Sequence, residues 1–260
     1  MKNILYYHLY LTDNPSIWTG IFFEQMKYVQ DSSLLSSLDE IRIFAVTQDD
    51  LRNNYLLDLC KTYNVNFSIN LIKNSFNNDY EAIKDFTSNS MPSRISTENF
   101  TLTKIYEDSQ TENMRVCYIH SKGVTSGMRL DRNSISQHKN YFNWRHYLNW
   151  GVLENWKKCI KALEEYDVVG VNFNSNPMSH YSGNFWWANS TYIKNLPNPS
   201  KLDWWIEAQA KTKDGWLKHA PPRFRDEQWI CFSSAVKALN LHTPSVNPAN
   251  NDFSRDKYSE

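Results

Sequence analysis

Four groups of residues carry side chains from which a reaction could be built. The first is His120-Ser121-Lys122-Gly123, directly after the apolar run Met114 to Ile119. The lysine supplies charge and the glycine lets backbone N–H groups come close, so the pair suits a phosphate; the bland reading is a plain turn with a solvated lysine. The second is Arg145, among Trp144, His146 and Tyr147. A partly buried arginine seeks an anion, either a phosphate or an internal carboxylate such as Glu154 or Asp167. The third is Asp226-Glu227, beside Arg223 and Arg225. Acids there either cap a helix or hold and deprotonate a hydroxyl.

The fourth group is the stretch His180 to Ala188, rich in aromatic residues and without helical spacing. Read as one strand, it alternates. His180, Ser182, Asn184 and Trp186 then share one face, and Tyr181, Gly183, Phe185 and Trp187 the other. The second face suits a core. The first sets a flat ring beside an amide, a hydroxyl and an imidazole, as a sugar requires. Gly183 would allow close backbone approach by a ligand. A strand buried on both sides is the bland alternative.

What is missing also directs the reading. There is no Gly-x-Gly-x-x-Gly and no Walker loop, which removes the dinucleotide and P-loop readings. There is no Asp-x-Asp; the nearest pattern, Asp79-Tyr80-Glu81, lies in an irregular segment. Formal net charge is zero, so no electrostatic footprint for nucleic acid or an anionic membrane exists. Cys60, Cys117, Cys159 and Cys231 lie far apart in apolar settings and read as buried thiols, consistent with a reducing compartment. The N-terminal apolar run is too short to span a bilayer, and a soluble, cytoplasmic protein is expected.

The elements that must position these groups follow from pattern. Strands are expected over Ile4–Tyr10, Ile41–Val46 and Val65–Ile72. Between them, Asn14-Pro15 starts one helix and Asp49 or Asp50 caps the next. This is the βαβ rhythm of a parallel sheet. The segment 74–96 is irregular, with a short helix over Asp79–Phe86. Thr97-Glu98-Asn99 opens a further helix, and Met114–Ile119 is a strand ending at His120 and Lys122. Ligands of open α/β sheets bind beyond such ends. A mobile loop over 124–138 precedes a long helix from about Lys139 to Glu165. Gly151 inside it costs about 1 kcal/mol relative to alanine and implies a close packing contact. Asp167–Phe173 is a strand, Asp203–Lys213 a helix, Asp226–Leu239 a helix and Thr243–Asn247 a last strand. The tail from Asn250 is expected to fray.

Taken in order, Tyr118-Ile119-His120-Ser121-Lys122-Gly123-Val124, Trp144-Arg145, Asp167 to Asn172, His180 to Ala188 and Glu227-x-Trp229 resemble a family of glycosyltransferase-like proteins of bacteria, algae and large DNA viruses. The resemblance covers about residues 95 to 230. It implies an α/β fold of the GT-A type: one domain over 1–250 around a central, mostly parallel, twisted sheet flanked by helices, with a polar tail over 251–260. Residues 1–123 would form the nucleotide-binding half and 124–250 the half for sugar and acceptor. It further implies transfer from a nucleotide-diphosphate-sugar, a UDP-sugar first among them, to a glycan or other hydroxyl acceptor. Tyr7 and His8 would lie near the base. His120, Lys122 and Gly123 would stand where a metal-binding Asp-x-Asp normally does, with Lys122 and Arg145 neutralising the diphosphate. Use of Mn²⁺ or Mg²⁺ stays open. His180, Gly183, Asn184 and Trp186 would line the sugar pocket, and Glu227 or Asp226 would be the base or hold the acceptor. A non-catalytic carbohydrate-binding protein and a degenerate scaffold are the competing readings.

Overall fold

The computed structural model describes residues 1–47, 50–73, 97–124, 134–176, 178–201, 203–211 and 222–259. The expected caps at Asp49 and the helix over Asp79–Phe86 lie outside them, as does most of the loop over 124–138.

The amino-terminal half follows the sequence pattern closely. Strand β1 (Lys2–Tyr10) leads into helix α1 (Pro15–Asp31). Asn14 caps α1 by accepting the Ser16 N–H at 3.1 Å, with proline at the first helical position. β2 (Glu40–Thr47), α2 (Asp50–Cys60) and β3 (Phe67–Lys73) complete the βαβ units. Helix α3 (Thr97–Thr111) precedes β4 (Met114–His120). In the sheet β1 pairs in parallel with both β2 and β4, and β2 with β3. The chain therefore reverses its direction of travel across the sheet at β1 and β4. Such a switch point leaves a crevice at the strands' carboxyl ends.

The carboxyl-terminal half extends this sheet. Helix α4 (Ser134–Asn149), a π-helical turn (Trp150–Glu154) and α5 (Trp156–Ala162) replace the single long helix expected. Gly151, within the π turn, makes the close packing contact expected of it: a Cβ there would lie 2.5 Å from Val171 Cγ1. The π turn also turns the Val152 carbonyl toward Trp187, which donates Nε1–H to it at 2.8 Å. Next come β5 (Val168–Gly170), the small β6 (Phe173–Asn174) and β7 (His180–Tyr181) pair, and β8 (Trp186–Asn189). Then follow α6 (Ser190–Ile193), α7 (Asp203–Lys211), α8 (Pro222–Trp229) and β9 (Ala238–Asn240). Among the described residues the main sheet has seven strands in the order β3-β2-β1-β4-β8-β5-β9, and β8 alone of these runs against its neighbours. The expected mostly parallel α/β domain, a central sheet flanked by helices, is thus what this chain forms.

Strand alternation sorts the core into two layers. Leu5, Tyr7 and Leu9 of β1 join Trp18, Phe22 and Met26 of α1 and the aromatic stripe of α4 on one face. Ile4 and Tyr6 join Leu102 and Ile105 of α3, with Trp186, Trp204 and Trp229, on the other.

Three expectations fail at the end of the chain. Residues 238–240 form the last strand rather than a helix, and Thr243–Asn247 form none. The tail does not fray, because Phe253 and Tyr258 are buried against Tyr147 and Trp150. All four cysteines are buried free thiols, as their apolar settings suggested. Among the described residues no helix is long and apolar enough to cross a membrane.

Candidate functional site

β1 and β4 are in register with His8 opposite His120, so their carboxyl ends bring two imidazoles side by side at the switch point. Both point to the face covered by α3. His8 Nδ1 meets Thr101 Oγ1 at 2.8 Å, and His120 Nε2 donates to the Gly183 carbonyl at 2.8 Å. Burial pushes the His8 imidazole down to about 4 and lowers that of His120, so both are neutral at neutral pH. Ser121 ties the two strand ends together by accepting Tyr10 N–H on Oγ and donating its own N–H to the His8 carbonyl. Gly123 then turns the chain at φ +84°.

Lys122 emerges from this turn into a cavity of about 580 Å³. Its Nζ lies 4.0 Å from the Trp144 ring centroid and 3.9 Å from Glu227 Oε1. Tyr141, stacked on Trp144, lines the same space, as do Phe224 and His180. Lys122, Glu227 and His180 thus share one cleft with an aromatic wall. Its size suits a small-molecule ligand.

α8 delivers Glu227 differently from the sequence expectation. Asp226 and Glu227 do not open the helix but sit late in it, because α8 starts at Pro222. One helical step separates their fates. Glu227 reaches the cavity, while Asp226 is buried, receives Asn99 Nδ2–H at 3.3 Å and lies 3.5 Å from Arg225 Nε. Asp226 therefore joins α8 to α3 and does not face the cleft.

Three further expectations are corrected by geometry. Arg145 is no open phosphate ligand. It makes a two-point ion pair with Glu24 at 2.8 and 2.7 Å and donates Nη1–H to the Lys122 carbonyl at 2.8 Å. It braces the His-Ser-Lys-Gly turn instead. Tyr7 stacks on Phe22, donates its hydroxyl to Gln25 and is fully buried, so it cannot reach a base. The stretch His180 to Ala188 is not one strand: Gly183 at φ +99° and Asn184 at φ +56° turn the chain between β7 and β8. A Cβ on Gly183 would lie 2.6 Å from Leu148 Cδ1, so packing rather than a ligand demands the glycine. The turn separates His180 and Ser182, on the cavity, from Asn184 and Trp186, both buried in the second core layer. Trp186 is not an open platform; the aromatic rings that line the cleft are Trp144, Tyr141 and Phe224 among others.

Sequence reading missed Glu24 and Glu98. Glu24 lies on α1, and Glu98 was noted only as part of a helix start. Glu98 Oε2 accepts hydrogen bonds from Tyr118 Oη and Asn184 Nδ2, each at 3.0 Å. Burial would push this carboxyl up, but His120, His8, Lys122 and the Asn184 amide outweigh it and hold it at about 2. Among the described residues no three His, Cys, Asp or Glu side chains converge as a metal site would require, and no step through a metal is derived.

Fold and cleft together define an α/β domain with a cavity beyond the carboxyl end of β4. The family model described as "Domain of unknown function (DUF8361)" matches residues 6–253, and the chain belongs to that family. No curated protein matches it. Among solved structures, 4-diphosphocytidyl-2C-methyl-D-erythritol synthase from Anaerococcus prevotii DSM 20548 is similar over 98% of this chain and 94% of that one, at 10% identity and a TM-score of 0.36. A likeness of that size assigns no activity.

Proposed function

We propose that this protein is a glycosyltransferase that moves a sugar from a nucleotide-diphosphate donor, a UDP-sugar first among them, to a hydroxyl of a glycan acceptor. The observation that carries the reading is the shared cleft: an ammonium and a carboxylate 3.9 Å apart over an aromatic wall. In the reaction the bond from the anomeric carbon to the diphosphate oxygen breaks as the acceptor oxygen bonds to that carbon. The leaving diphosphate gains negative charge, which the Lys122 ammonium stabilises. The acceptor hydroxyl loses its proton to the Glu227 carboxylate. Pairing of Lys122 with the diphosphate draws it from Glu227 and leaves that carboxylate available as the base. His180 lines the same cleft with both ring nitrogens engaged, by the Met178 carbonyl and by Ser182. Arg145 and Glu24 take part only by holding the turn that carries Lys122.

The test is a screen of nucleotide-sugars for transfer and for slow donor hydrolysis. UDP is expected to raise the melting temperature, since a ligand of the native state stabilises it. Glu227→Gln is expected to lower turnover about a hundredfold or more, and Lys122→Ala to a comparable extent. A Glu227→Gln protein with full activity would remove that residue from the chemistry. Activity abolished by a chelator would replace the lysine-only account of the leaving group. Binding of glycans without any response to nucleoside diphosphates would mark a carbohydrate-binding protein instead.

A further inference from the structure

The residues that looked like a sugar platform converge on one carboxylate. Asn184 spends its amide N–H on Glu98 Oε2 and accepts Trp186 Nε1–H on its own Oδ1 at 2.9 Å. Tyr118, its ring tilted against Trp186 at 5.2 Å, donates its hydroxyl to the same Glu98 oxygen. His8 and His120 flank the group, each with one ring nitrogen already engaged. Glu98 is partly exposed, and among the described residues its Oε1 accepts no hydrogen bond.

A carboxylate offers about four acceptor positions, of which two are used here. What approaches the rest must bring donors. A phosphate brings only acceptors and like charge, so this corner repels it and favours its seat beside Lys122. A sugar hydroxyl brings the donor the oxygen lacks, and a hydrogen bond to an ionised acceptor is among the stronger kinds. We infer that Glu98 reads the sugar: Oε1 accepts a hydrogen bond from a hydroxyl of the bound hexose, while Tyr118 and Asn184 fix the carboxylate from behind. The identity of the ligand as a sugar rests on the transferase reading above. Glu98 binds substrate on this account and takes no proton, in contrast to Glu227.

The experiment is a cycle between Glu98→Gln and removal of single hydroxyls from the ligand, since coupling between two changes reports direct contact. The probes are UDP, a panel of UDP-hexoses, their singly deoxygenated analogues and the free hexoses, followed by calorimetry. Glu98→Gln is expected to leave UDP affinity within about twofold and to weaken one UDP-hexose roughly ten- to a hundredfold. It should also erase the discrimination that the unaltered protein shows against one deoxygenated analogue, which a merely structural role would not do. If Glu98→Gln fails to fold, Tyr118→Phe carries the test, with a smaller coupling of roughly two- to tenfold expected. UDP-hexose binding with full hydroxyl discrimination in the variant overturns the inference and leaves the transferase reading intact. Free hexoses bound through Glu98, with no UDP-hexose binding, overturn the transferase reading and keep the inference. Binding of neither overturns both. Binding of Mn²⁺ or Mg²⁺ alone that vanishes in Glu98→Gln would make Glu98 a cation ligand and overturn the inference.

Discussion

Arg145 and Glu24 show how a residue's type can be right and its role wrong. An arginine among aromatic residues demands an anion, and the anion proves to be a carboxylate from α1 rather than a ligand. Burial raises the Glu24 carboxyl, but hydrogen bonds and charge from Arg145 and His146 outweigh it and hold it at about 2. Removing one member of a buried pair strands the other, so Glu24→Gln should destabilise the fold by about 3 kcal/mol in urea unfolding. An unchanged midpoint would return Arg145 to the diphosphate. Acid acts on the same residues in two windows. His8 binds its proton near 6.5 when unfolded and about 4 when folded, so the unfolded chain takes up protons first as pH falls. Stability is therefore full above pH 6.5 and declines from there toward 4, by on the order of 3 kcal/mol. Glu24 and Glu98 add a second decline, from about 4.5 toward 2. Urea midpoints should be nearly level between pH 8 and 6.5 and lower at pH 5 and again at pH 4, and His8→Gln should flatten the first window. A midpoint constant from pH 8 to 5 would contradict a neutral buried His8. Residue types in the cleft were legible because charge and aromaticity are written in the letters. Partners such as Glu24 for Arg145 were not, because they lie 121 positions apart.

At the scale of elements, legibility tracks how each strand or helix gets its neighbours. β1, β2 and β4 are dominated by apolar residues, and such runs announce buried parallel strands. The later strands are only two to four residues long, so they carry too little pattern to separate from turns. The stretch over 180–188 was read as one strand because its aromatic content hid the turn; Gly183 followed by Asn184 was the available signal, since both residue types tolerate positive φ. Likewise α8 begins ahead of the expected Asp226, because proline is accepted in the first turn of a helix and Pro222 stands there. Gly151 gives the sharpest element-scale test. In an ordinary helix interior Gly→Ala gains about 1 kcal/mol, but here the new methyl would collide with Val171. Gly151→Ala should therefore destabilise by about 1–3 kcal/mol, and Val171→Ala on that background should recover part of the loss. Additive losses in the double variant would place the constraint on Gly151 elsewhere than Val171.

Across the whole molecule, the cleft depends on its distant end. Residues 243–250 lend Val246, Asn247 and Ala249 to the cavity wall, though they belong to no strand or helix. What holds this segment in place lies after it. Phe253 and Tyr258 pack on Tyr147 and Trp150, Arg255 pairs with Glu154 on the π turn, and Lys139 and Asn143 of α4 reach Asp252. The tail is thus a strap that ties the cavity wall to the helix carrying Trp144 and Arg145. Its polar composition concealed this, because two buried aromatics among eight charged or polar neighbours leave little periodicity to read. Removing residues 251–260 would expose the core beneath Phe253 and Tyr258, a loss of about 3–5 kcal/mol from two buried aromatic side chains. The melting temperature should drop by on the order of 10 °C, and binding of UDP and of UDP-hexose should both weaken, because the loosened wall lines the cavity that holds Lys122 and Glu227. A truncated chain that melts unchanged would show the strap to be ornamental. One that melts lower but binds both ligands as tightly as the full chain would separate the strap's hold on the core from any hold on the cleft.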